Sequence, residues 1–92
     1  MEVGKKIKFK EEKQRYTIKA CDDQYLICTK PFNAKKTVLY TIVDLKNNIR
    51  GTENLIFCAG FETDELCQEA LNRLQSGESK ISHRNRIGLN ID

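Results

Sequence analysis

Apolar and polar residues alternate along residues 4–10, GKKIKFK, and again along residues 15–21, RYTIKAC. A period of two marks half-buried strands. EEKQ (11–14) separates them as a polar turn. Tyr16, Ile18 and Ala20 fall on one face of the second strand. Asp22 and Asp23 read as a two-residue hairpin turn, and QYLICTK (24–30) returns as a third strand. This turn sets Cys21 against Gln24 and Cys28 against Thr17. PFNAKK (31–36) holds the only proline and reads as a loop.

TVLYTIVDL (37–45) is β-branched and aromatic. Val38, Tyr40 and Ile42 form one apolar face, and Leu39, Val43 and Leu45 the other. A strand apolar on both faces belongs at the centre of a sheet. KNN (46–48) reads as a tight turn, and IRG (49–51) begins the return, with Gly51 suited to a bulge. NLIFCAGF (54–61) is a further strand, ended by Gly60. The period then changes. Thr63 is a helix cap, Asp64 and Glu65 suit the positive end of the helix dipole, and Gly77 suits the stop. Across 64–75, Leu66, Cys67, Ala70, Leu71 and Leu74 make one apolar stripe. KISHRNRIGLNID (80–92) returns to period two as a final strand.

Five strands, one helix and one strand predict an α+β domain: a strongly curved antiparallel sheet, or a small SH3-like barrel of about five to six strands, with one amphipathic helix packed on it. The 92 residues make one domain. A chain of this length buries roughly 60–65% of its unfolded surface, enough for one core and little more. The N-terminus has no apolar run and no segment is long enough to span a membrane. The expectation is a soluble cytoplasmic protein with no membrane partner.

The net charge of +3 is a weak pull toward anionic partners. Seven of the sixteen Lys and Arg lie in residues 3–19, alternating with Ile7, Phe9, Tyr16 and Ile18. This pattern reads as a solvated cationic strand face, its lysines guarding an edge against aggregation. Cys21, Cys28, Cys58 and Cys67 contain no C-x-x-C pair, and each stands where a small buried hydrophobe is expected. They read as reduced core residues, with no metal site.

The motifs of catalysis are not in the chain. There is no Walker loop, no G-x-G-x-x-G and no H-E-x-x-H. His83 is the single histidine, with no carboxylate close to it in sequence. The paired acids read as a turn (Asp22, Asp23) and a helix cap (Asp64, Glu65). The reading is therefore a protein that is not an enzyme and takes no cofactor.

Three clusters could bind a partner. In TKPFNAKK (29–36), Phe32 lies beside Lys30, Lys35 and Lys36, the makings of a stacking platform with phosphate contacts; the plainer alternative tucks Phe32 under its own loop. In NNIRGTEN (47–54), Arg50 stands beside Gly51, which permits close backbone approach; the alternative is a polar bulged hairpin. In SHRNRI (82–87), Arg84 and Arg86 project together from a strand, about 7 Å apart, and can grip phosphates or acidic side chains. His83 and Asn85 face the other way and need polar partners. The alternative is a solvated strand edge.

CTKPFNAKKTVLYTIVDL (28–45), IRGTENLIFC (49–58), GFETDELCQEAL (60–71) and LQSGESKISHRNRI (74–87) resemble a small family of uncharacterised proteins encoded by bacterial prophages and conjugative elements. That family carries no assigned activity, so the resemblance transfers no site. It implies a short accessory protein that works without catalysis. The expected function is a non-enzymatic binding module of a phage or mobile element. It would neutralise a host defence factor by occupying a protein surface, as anti-CRISPR proteins do, or sequester a nucleotide signal. A small barrel that binds RNA or DNA is the alternative, and a homo-oligomer is compatible with either.

Overall fold

The computed structural model describes residues 2–10, 13–32, 37–48, 54–81 and 86–90, with backbone alone for 10, 47, 48, 54, 55 and 86–90. The chain is α+β, an antiparallel sheet with one helix on it. The strands are β1 (Lys6–Lys10), β2 (Tyr16–Cys21), β3 (Tyr25–Phe32), β4 (Thr37–Asn48), β5 (Asn54–Phe61) and β6 (Arg86–Asn90); the helix, α1 (Asp64–Ser76), lies between β5 and β6. Each strand pairs antiparallel with the next, and β6 pairs back onto β1 through Lys8↔Asn90, Phe9↔Leu89 and Lys10↔Gly88, so the pairings run in a ring.

The two faces of this ring explain the sequence pattern. Ile7, Phe9, Tyr16, Ile18, Leu26, Cys28 and Val43 pack together on the inside. Phe9 meets Tyr16 edge to face, ring centroids 4.9 Å apart. On the outside, Ile27, Ile42 and Cys67 form a second cluster, joined by Tyr25, Tyr40, Cys58, Phe61, Ala70, Leu71 and Leu74. β4 serves both, Val43 inward and Ile42 toward α1, which is why it is apolar on both faces.

The helix begins as expected. The Thr63 hydroxyl accepts from the Leu66 N–H at 3.2 Å. Gly77, at φ 84°, closes the last turn by donating to the Leu74 carbonyl at 3.3 Å. Leu66 departs from the expected stripe: it is 49% exposed, while Cys67 is fully buried. The stripe that meets the sheet is Cys67, Ala70, Leu71 and Leu74, spaced i, i+3, i+4 and i+7. Leu66 lies one position, about 100°, off it.

Several expectations about turns and register are corrected. β3 runs through Pro31 and Phe32, which pair with Val38 and Thr37. Pro31 is tolerated because the pairing of β2 with β3 ends at Thr17↔Thr29, so no described β2 residue asks for its N–H. The stretch 46–48 belongs to β4, with a register shift between Asp44 and Asn48. Gly60 does not end β5. It stands between Ala59↔Thr41 and Phe61↔Tyr40 as an extra residue at φ 91°, a bulge that glycine accommodates. Cys28 opposes Ile18 rather than Thr17, and Cys21 opposes Leu26. A second bulge, at Lys19, turns Ala20 outward and brings Cys21 toward the inner core. The four cysteines are free thiols. β1 is paired on both sides, so its lysines stand on a wall and not on a sheet edge. Lys80 and Ile81 precede the last strand as irregular chain. The bulge foreseen at Gly51 lies outside the described residues.

Candidate functional site

The turn between β2 and β3 is built by one side chain. Asp22 Oδ1 accepts from the Gln24 N–H at 2.8 Å and from the Tyr25 N–H at 2.6 Å. These two bonds, with Lys46 nearby, hold the Asp22 carboxyl below its usual range. The turn aims Gln24 and Tyr25 toward the end of α1.

Four strands then contribute one residue each to a single cross-strand row. Tyr25 pairs with Asp44, Asp44 with Ile56, and Ile56 with Arg86. Asp44 is buried at 3% exposure. Its Oδ1 accepts from the Lys46 N–H at 3.0 Å, and its Oδ2 lies 3.5 Å from the Gln24 side-chain amide, which donates. The Tyr25 phenol is pushed above its usual pKa by burial, then by the carboxylates of Asp44 and Asp22 and by Cys58. It therefore stays protonated, a hydrogen-bond donor, well past neutral pH.

Beside this row runs the exit of α1. Gln24, Tyr25, Asp44, Ile56, Leu74, Gly77, Ser79, Lys80 and Ile81 line an open hollow of about 260 Å³. A second hollow of about 290 Å³ adjoins it, between Asp22, Asp23, Gln24, Tyr25, Leu74 and Gln75. Together they make a groove with an apolar wall of Leu74, Ile56 and Ile81 and a polar rim. Asp23 on that rim meets Lys46 at 3.3 Å. The groove offers a phenol donor, an amide, exposed carboxylates and an exposed ammonium, the equipment for holding a side chain. Among the described residues no His, Cys, Asp or Glu cluster suits a metal ion.

The residues singled out in the sequence divide as follows. Arg86 opens β6 and its backbone occupies the row beside Ile56, which brings one end of SHRNRI to the groove. His83, Arg84 and Asn85 lie outside the described residues, as do Arg50, Lys35 and Lys36. Lys30 and Phe32 are half-buried on β3. Lys30 Nζ sits 5.8 Å from the centroid of the Tyr16 ring, a cation–π contact at the end of the inner core. Gln24, Tyr25, Asp44 and Lys80 were not singled out. Asp44 carried a signal: an acid inside the most apolar strand, in phase with Val38, Tyr40 and Ile42.

Among the described residues no helix is long and apolar enough to cross a membrane. The chain matches no family model, no curated protein and no solved structure.

Proposed function

We propose that the protein is a non-enzymatic binding module that acts by occupying the surface of a partner protein, with the groove beside Tyr25 and Leu74 receiving a partner side chain. The observation that carries this reading is the openness of the groove. Its two hollows, about 260 and 290 Å³, are open to solvent. Together they reach the roughly 300–1,000 Å³ of small-molecule sites, but such sites close around the ligand and bury most of it, whereas this groove stays open on one side. Among the described residues, Phe9, Ile18, Leu26 and Val43 are fully buried in the inner core. One or two side chains fit the groove; a sequestered nucleotide signal would need a second wall. The resemblance to prophage and conjugative-element proteins suits this reading and makes a host factor, including one of host defence, the partner to look for.

Native mass spectrometry separates this reading from nucleotide sequestration. The protein, purified gently, is expected at its own mass of 10.6 kDa. It has no Trp and three Tyr, so a bound nucleotide would dominate its ultraviolet spectrum. A defined nucleotide-sized adduct with excess absorbance at 260 nm would overturn the proposal.

A further inference from the structure

The wall of the ring away from α1 has a different character. α1 packs on β4 and β5, leaving the outer face of β1 and β2 uncovered by the helix. Ile7 and Phe9 are buried inward, so Lys6 and Lys8 project outward, and Lys6 pairs with Thr17 of β2 on the same face. Lys19, at the bulge, is exposed on β2, Lys13 is exposed between the two strands, and Lys5, exposed just before β1, is paired with Glu2 at 3.4 Å. Charge along the chain is segregated to match. Residues 1–19 hold seven Lys and Arg against three Glu, whereas residues 62–79, which include α1, hold five acids against Arg73 alone. The molecule therefore presents a cationic wall and a predominantly acidic helix side.

We infer that the outer face of β1 and β2 is a docking surface for the sugar–phosphate backbone of a single-stranded nucleic acid. Alternate residues on a strand stand about 7 Å apart, close to the spacing of successive phosphates on an extended strand. Lysine recognises phosphate as a point charge without reading bases. The contact is thus sequence-independent and salt-sensitive. The acidic helix side repels the same polymer and fixes which wall it meets. This surface is separate from the groove, and the two succeed or fail independently.

The test is fluorescence anisotropy of the full chain with a labelled oligothymidylate, at about 50 and about 200 mM salt. Three phosphate contacts give a slope near −2 on logarithmic axes, so affinity falls roughly 20-fold between these salts. Lys6→Gln/Lys8→Gln/Lys19→Gln, three exposed or half-exposed changes whose folding is checked by circular dichroism, should weaken binding at least tenfold at the lower salt. If that variant misfolds, Lys6→Gln/Lys19→Gln should still lose several-fold. Ser79→Trp, in the groove, should bind as the parent does. Absence of binding at low salt, or binding that the lysine variants retain in full, overturns the inference. Binding to vesicles of anionic phospholipid without binding to the oligonucleotide overturns it as well.

Discussion

The buried thiols make stability at alkaline pH a direct test of the two-cluster core. Cys28 and Cys67 are both fully buried. Burial, and secondarily the neighbouring Cys67, pushes the Cys28 thiol up to about 12. Burial, then Asp64 and Cys58, pushes Cys67 up to about 11. In the unfolded chain both titrate near 9. A folded pKa above the unfolded one means the folded state keeps its proton while the unfolded state sheds it. The stabilisation is therefore complete below pH ~9 and is lost as the pH rises from there toward 11 and 12. At about pH 10 each thiol costs about 1.4 kcal/mol, so the pair costs about 3 kcal/mol. Against a typical domain stability of about 5–15 kcal/mol this is a large loss. Urea unfolding followed by circular dichroism, in reductant at about pH 8 and about pH 10, measures it. Cys28→Ala/Cys67→Ala is less stable at the lower pH because it leaves cavities, but it should lose about 3 kcal/mol less than the parent on going to the higher one. Tyr25 and Cys58, both raised by burial, are common to the two proteins and cancel in the comparison. Equal losses in the two proteins would show that these thiols are not buried as described.

Three further substitutions probe particular contacts. Thr41 is fully buried and its Oγ1 has no hydrogen-bond partner among the described residues, so Thr41→Val should leave stability unchanged or raise it by about 1 kcal/mol; a loss in urea unfolding would mean that the hydroxyl is satisfied. Asp22→Ala removes the acceptor of two backbone N–H groups and should cost roughly 1–2 kcal/mol, with Asp22→Asn keeping most of that because its amide oxygen still accepts; equal losses in thermal melts would refute the turn's hydrogen bonding. Gly60→Ala meets no atom within 4 Å of the added carbon, so its cost should be the backbone strain of φ 91° alone, about 1–2 kcal/mol, and a neutral result would place Gly60 in an ordinary strand conformation.

Local patterns are legible along this chain wherever one residue's neighbours in sequence decide its environment. Thr63, Asp64, Glu65 and Gly77 announce the helix because capping acts within four residues. β4 announces its central place because both of its faces are apolar. Register is another matter. The extra residues at Lys19 and Gly60 shift a strand by one and exchange its faces, which is how Ala20 came to point outward in place of Cys21. Nothing in RYTIKAC marks that bulge. The groove was still less legible, because its row takes Tyr25, Asp44, Ile56 and Arg86 from four strands, and only the pairing of all four sets them side by side. Arg86 was singled out for its charge and its partner arginine; its place beside Ile56 depends on a contact across 30 residues.

The measurement that tests the central proposal most directly compares two tryptophans. Ser79→Trp fills the groove from its exposed rim, and Gln68→Trp adds the same bulk to the exposed face of α1. Each tagged variant, checked for folding, is used to capture proteins from the lysate of the source cell beside the parent. The account predicts a stoichiometric protein partner that the parent and Gln68→Trp retain and Ser79→Trp loses. A partner held equally by all three, or no protein partner for the parent, would contradict it.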